Sequence, residues 1–286
     1  MMRPSSQVRR NAALVALLAP IALVATASCK LDSLVFSSDT VSEYRLTSTV
    51  IADSLRKQVT FSSGGDRLYG YWLRQPGNAP RLTLIYSHGK GTNLSSETPW
   101  EHAEALWSAG FDVLTYDYRG FGMSGGTSDD ETTLAADAQA ALAFALTQPG
   151  VTLSRVVSFG HSIGSAPAIA LAAGNPGLRA LIVESGFSNG QAMAESAVPL
   201  GIPVTWLMRQ PMVNTEKMAR TQMPVLVIHG ERDLLIPYEQ GVALYNAAPG
   251  SKQLRLVPGA GHTDVPATMG TTAYAALLRN FVSFAR

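Results

Sequence analysis

Cysteine, charge and repetition are what this chain has least of. One cysteine, Cys29, occurs in 286 residues, so no internal disulfide can form. Charged residues make up 15% of the chain, 22 basic against 21 acidic, for a formal net charge of +1. That balance offers no basic field to a nucleic-acid partner. No solenoid-like period and no low-complexity tract runs through the sequence, which excludes repeat architectures. Neither a cluster of metal-ligand residues nor a nucleotide-binding glycine loop is present, so no metal and no organic cofactor is expected. Apolar material is what the chain has: 46% of its residues are hydrophobic, enough for one sizeable core and too much for a disordered chain.

The first residues differ from the rest. MMRPSSQVRR carries Arg3, Arg9 and Arg10 and no acid, and NAALVALLAPIALVATAS is almost wholly apolar or small. A basic start, an apolar run and small residues predict an export signal over 1–28. Pro20 interrupts the run and argues for a cleaved signal over a retained anchor. TASC, residues 26–29, resembles a bacterial lipobox, with Thr26 where leucine is usual. The resemblance implies cleavage before Cys29 and acylation of its thiol, so that the chain is an exported cell-envelope lipoprotein held at a membrane surface. Cleavage removes three arginines and no acid, leaving 19 basic against 21 acidic residues and a charge of −2. Residues 29–56 read as a polar tether, within which EYRLTSTVIADSLR has the makings of a short helix.

From residue 57 onward strands and helices alternate. Val59–Ser62 and Leu68–Leu73 predict a hairpin around GGD. RLTLIYSHG, FDVLTYDYRG, RVVSFG, RALIVESG and MPVLVIHG are short apolar runs of the kind buried on both faces of a parallel sheet. ETPWEHAEALWSAG, DDETTLAADAQAALAFALTQPG, SIGSAPAIALAAGNPG, PYEQGVALYNAAPG and AYAALLRNFVSFAR have helical spacing, and KQLRLVPGAG supplies a last strand. The expected fold class is α/β: a mostly parallel, twisted sheet with helices on both faces. Chemistry in such sheets sits beyond the C-terminal ends of the strands.

Ser162 follows the RVVSFG strand, between Gly160 and Gly164. A serine nucleophile needs a base, and the base needs an orienting acid. Of the five histidines, His102 lies inside a helix, and His161 neighbours the serine with its ring expected to point away from the hydroxyl. His88 and His229 each end a strand before glycine, where a backbone-bonded structural role is expected. His262, in the Gly-rich loop PGAGHTDV, is left as the base. Asp233 in VIHGERDLLIP is the favoured acid, since apolar residues follow it. Glu231 reads as surface, Asp264 is too close in sequence to His262 to reach its ring easily, and Glu184 is the runner-up acid.

These segments resemble the alpha/beta-hydrolase superfamily. GHSIG is similar to its nucleophile elbow, with partners in the order Ser, Asp, His. YSHGKGTN is similar to its oxyanion loop, YDYRGFGMSGG to the segment after the fourth strand, GERDLLIP to its acid loop and GAGHTD to its histidine loop. The resemblance spans residues 57–286 and is nearest to the small-lid serine hydrolases that include depalmitoylase-like and Bem46-like proteins. Lys90 departs from it, standing where that branch often has asparagine. The resemblance implies a catalytic Ser162, His262 and Asp233, an oxyanion hole from the backbone N–H groups of Lys90 and Ile163, and structural roles for Asp117 and Arg119 under the elbow.

The segment 189–222 reads as a small helical lid. Its Met193, Trp206, Met208 and Met212 are candidates to line an acyl pocket, because methionine adapts to irregular apolar shapes. A carboxylic ester or thioester with an apolar acyl part is the expected substrate, whether small molecule, lipid-like ester or acylated protein. A serine aminopeptidase and a non-catalytic binding protein on the same fold are the alternatives. The lid's acids, Glu195 and Glu216, are few for a peptidase that must hold a substrate amine. The lipobox reading is checked by intact mass: membrane-extracted protein is expected to begin at an acylated Cys29, and Cys29→Ser to release the protein or leave its signal uncut. A mature N-terminus elsewhere, or a bare thiol there, sinks that reading.

Overall fold

Runs of β-branched and aromatic residues between glycine-bearing turns set the strands, and the computed structural model describes residues 39–46, 50–77, 79, 81–128, 130–192 and 212–285. A hairpin opens the sheet: β1 (Arg56–Ser63) and β2 (Asp66–Leu73) pair antiparallel across Gly64-Gly65. Then come β3 (Thr83–Ser87), β4 (Asp112–Tyr116), β5 (Val156–His161), β6 (Ala180–Glu184), β7 (Val225–Gly230) and β8 (Lys252–Val257). The sheet order is β1-β2-β4-β3-β5-β6-β7-β8. β2 joins β4 antiparallel, and every pairing from β4 to β8 is parallel. This is the expected α/β architecture.

β3 to β7 are buried along their whole lengths, whereas the edge strand β8 alternates between partly buried and exposed residues up to its buried end at Val257. Successive residues of a strand face opposite sides, and the core divides accordingly. Leu181, Val183, Val225 and Val227 join one apolar cluster, and Ile182, Leu226 and Ile228 the other. Helices α2 (Glu131–Leu146) and α3 (Ser165–Gly174) cover the first face, with the short α4 (Asn214–Met218) and α5 (Tyr238–Ala247) beside them. α1 (Glu97–Ser108) and α7 (Thr271–Phe284) cover the second through Trp100, Leu106, Leu278 and Phe281. Burial on both faces is worth roughly 1.5–3 kcal/mol per large aliphatic side chain. One further short helix, α6 (Val265–Met269), precedes α7. The Asp130 side chain caps α2 by accepting from the Thr133 N–H at 2.8 Å, which answers the acidic start of that segment. No helix among the described residues is long and apolar enough to cross a membrane.

The signal at 1–28, Cys29, and the lid residues Met193, Trp206 and Met208 lie outside the described residues. The stretch read as a tether reaches onto the domain. β1 begins at Arg56, a 3-10 turn at Asp53–Leu55 stands where a short helix was expected, and Tyr44 and Ile51 are buried. Thr40 forms a bridge with Gly122, and the Tyr44 hydroxyl donates to Asp117 Oδ2 at 2.5 Å. Burial and the Asp117 charge push the Tyr44 phenol far up, so it remains a donor. Tyr44→Phe leaves a buried carboxylate one donor short and is expected to cost about 1–3 kcal/mol, read as a lower urea midpoint; an unchanged midpoint removes Tyr44 from the fold's support.

Candidate active site

Three loops at the C-terminal ends of β5, β7 and β8 meet at one point. β5 ends at His161, and Ser162 opens a tight 3-10 turn, Ser162–Gly164, before α3. Ser162 has φ +56°, a left-handed conformation that costs a non-glycine residue on the order of 1–3 kcal/mol. The surroundings enforce it. A Cβ on Gly160 would meet the Gly164 carbonyl oxygen at 2.3 Å, and one on Gly164 would meet the Ser87 carbonyl oxygen at 2.0 Å and that of His88 at 2.6 Å. Only glycine lets strand, turn and helix close at this distance.

His262 lies in the loop after β8. Its Nδ1 is 2.8 Å from Asp233 Oδ2 and its Nε2 is 2.9 Å from Ser162 Oγ. A carboxylate only accepts, so Nδ1 carries the proton and Nε2 is free to accept from the serine hydroxyl. Asp233 sits in the loop after β7 with its side chain fully buried. Its Oδ1 accepts from the backbone N–H groups of Leu235 and Ile236, at 3.0 and 2.8 Å. Burial works to raise this carboxyl; hydrogen bonds from His229 and His262, with the Ile236 N–H, outweigh burial and hold it well below the usual carboxylate range. The two loops are tied together by Arg232 N–H to the Ala260 carbonyl at 2.8 Å. Asp264 accepts from the Gly261 N–H at 2.6 Å and so closes the histidine loop on itself. Glu231 is exposed.

The loop after β3 passes the nucleophile. A Cβ on Gly89 would lie 3.5 Å from Ser162 Cβ. Lys90 follows it in an exposed turn, and Ile163 is buried directly after the serine. Asp117, fully buried after β4, holds this loop: it accepts from Tyr44, from His88 Nε2 at 3.0 Å and from the Leu94 N–H at 3.2 Å. Arg119 pairs instead with Asp137 on α2, through Nε at 2.8 Å. Met212 is fully buried in the apolar cluster that contains Ile163 and Phe187.

Three histidines other than the base have partners that their positions in the sequence did not reveal. His229 Nε2 faces the Ile236 carbonyl at 2.8 Å and Asp233 Oδ2 at 3.2 Å, a second donor on the acid. His161 turns away from the serine hydroxyl and places Nε2 3.0 Å from the backbone carbonyl of His262. His102 reaches from α1 to Glu184 Oε1 at 2.9 Å, while Tyr274 donates to Glu184 Oε2 at 2.8 Å. Glu184 thus serves His102 and Tyr274. Among the described residues, His102, His161 and Glu184 form the one group with metal-ligand atoms within 4.8 Å of one another. Its geometry is that of a hydrogen-bonded pair with a ring packed against it, 4.5 Å between the histidine centroids.

The comparisons with known proteins bear on the family and the fold. The family profile described as Serine aminopeptidase, S33, matches residues 78–215. Alpha/beta hydrolase domain-containing protein aho-3 of Caenorhabditis elegans is 32% identical over 236 residues, 81% of this chain and 66% of that one. The Escherichia coli K12 protein YfhR is 32% identical over 206 residues, 70% of each. The chain belongs to the alpha/beta-hydrolase superfamily. Among solved structures, the Pyrococcus furiosus esterase Pf2001 superposes with a TM-score of 0.69 at 17% identity, covering 87% of this chain and 99% of that one. Acetyl xylan esterase 1 from Thermoanaerobacterium gives 0.62 at 19% identity, covering 91% and 92%. This alpha/beta hydrolase thus has the fold of known esterases.

In this hydrolase both nitrogens of His102 face acceptors, Nδ1 the Thr98 carbonyl at 2.9 Å and Nε2 Glu184. Burial opposes a charge there, but the hydrogen bond and charge of Glu184, with the Thr98 carbonyl, outweigh it and raise the ring above its ordinary value. His102 therefore binds its proton more tightly in the folded state. Its contribution to stability is complete below the ordinary histidine value of about 6.5 and is lost as pH rises through the higher folded value. Urea midpoints are expected to fall across that rise, and Glu184→Gln to flatten the dependence; a wild-type midpoint that climbs over the same interval contradicts the charged pair.

Proposed function

We propose that this hydrolase cleaves carboxylic esters or thioesters with an apolar acyl part through an acyl-enzyme on Ser162. The observation that carries the reading is the unbroken line Ser162 Oγ, His262 Nε2, His262 Nδ1 and Asp233 Oδ2, with gaps of 2.9 and 2.8 Å. His262 takes the hydroxyl proton as Ser162 Oγ attacks the carbonyl carbon. The carbonyl oxygen becomes an oxyanion, received by the backbone N–H groups of Lys90 and Ile163. His262 then gives its proton to the departing alcohol or thiol, and water repeats the cycle on the acyl-enzyme. Asp233 keeps the imidazole in the needed tautomer and balances its transient charge. Each oxyanion donor is worth roughly 3 kcal/mol.

The apolar acyl preference is supported by Leu234 and Leu235, both exposed beside Asp233, and by the methionines of the segment 189–222. Met193, Trp206 and Met208 are assigned to the acyl pocket; Met212, fully buried in the core, packs within the fold instead. Exported and anchored through an acylated Cys29, the enzyme acts on lipid-like esters or acylated proteins near a membrane surface.

Ser162→Ala or His262→Ala is expected to lower kcat by roughly 10⁴-fold while leaving the fold intact, with Asp233→Asn somewhat milder. A phosphonate probe should label Ser162 in the wild type and neither of the first two variants at a comparable rate. The matched family profile carries the name of a serine aminopeptidase, so acyl esters of graded length are compared with aminoacyl amides. Faster turnover of the amides replaces the esterase reading, and no labelling of Ser162 ends the hydrolase one.

A further inference from the structure

The residue before the nucleophile has a ring with only one proton to place. His161 is buried, its Nε2 lies 3.0 Å from the carbonyl oxygen of His262, and its Nδ1 has no hydrogen-bond partner among the described residues. A carbonyl only accepts, so Nε2 carries the proton and Nδ1 none. Burial pushes the His161 ring well below its ordinary value, and the neighbouring His102 and His262 rings push it further. His161 is thus neutral, as the site requires: its ring centroid lies 5.3 Å from that of His262, which must carry a positive charge in mid-reaction. A second cation at that distance in a buried site opposes the first. His161 also packs against His102, which is hydrogen-bonded to the buried Glu184.

We propose that His161 is a positioning residue: its Nε2–H, given to the backbone carbonyl of His262, fixes the histidine loop so that the His262 ring meets Ser162 and Asp233 together. The link joins residues 101 apart in sequence and ties the elbow to the base it needs, so the two cannot drift independently. The buried Glu184–His102 pair behind it packs the ring and opposes a second proton on it. The proposal rests on the serine-hydrolase reading above.

The test compares His161→Leu, which removes the donor, with His161→Gln, whose amide N–H can serve the same carbonyl. His161→Leu is expected to lower kcat and the rate of phosphonate labelling by on the order of 10-fold to 100-fold with KM unchanged. His161→Gln is expected to restore most of the loss. A general packing role does not favour Gln over the similarly sized Leu, so a glutamine variant no better than the leucine one, or a leucine variant labelled at the wild-type rate, overturns the proposal. Nitrogen NMR of the histidine rings in the wild-type protein supplies a reading independent of how the variants fold. A neutral His161 with its proton on Nε2 supports the clamp, and a proton on Nδ1 or on both nitrogens refutes it. Absence of labelling in the wild type would instead count against the hydrolase reading, so the two failures are distinguishable.

Discussion

The candidate site depends on one close approach, the passage of the Ser162–Gly164 turn against the end of β3. At Gly164 the carbonyl oxygens of Ser87 and His88 stand where a Cβ would be. This contact brings the loop after β3 beside the nucleophile, and Ser162 stands beside it in a left-handed conformation. The strain is held by the burial of β3, β5 and α3 on either side.

Around that turn lies a layer of buried polar side chains, and each carboxylate in it has more than one donor. Asp117 serves Tyr44, His88 and Leu94. Asp233 serves His262, His229 and two backbone amides. Glu184 serves His102 and Tyr274. Buried charge is tolerable only when paired and fully hydrogen-bonded. The same requirement makes the groups rigid, because losing a donor exposes the whole desolvation penalty. Positioning at the site is therefore a by-product of satisfying its buried acids.

The N-terminal segment enters this layer through Tyr44, so the catalytic domain is continued by residues that precede its first strand. Composition could not show this. A stretch of Ser, Thr and Asp reads as solvated chain, and a single tyrosine within it carries no periodic signal. Its partner, Asp117, lies 73 residues away.

Local physics was legible in the chain itself. Apolar runs of five or six residues declared the buried strands, glycines on either side of Ser162 declared a sharp turn, and the loop position of His262 set it apart from the other histidines. These are patterns of period, spacing and steric freedom, which neighbouring residues determine among themselves. The pairing of His161 with the carbonyl of His262, of His102 with Glu184 and of His229 with Asp233 was decided only by the tertiary structure. A histidine's role is set by the acceptors that surround its two nitrogens, and here those acceptors come mostly from other loops, strands and helices, brought within about 3 Å by the order of strands in the sheet.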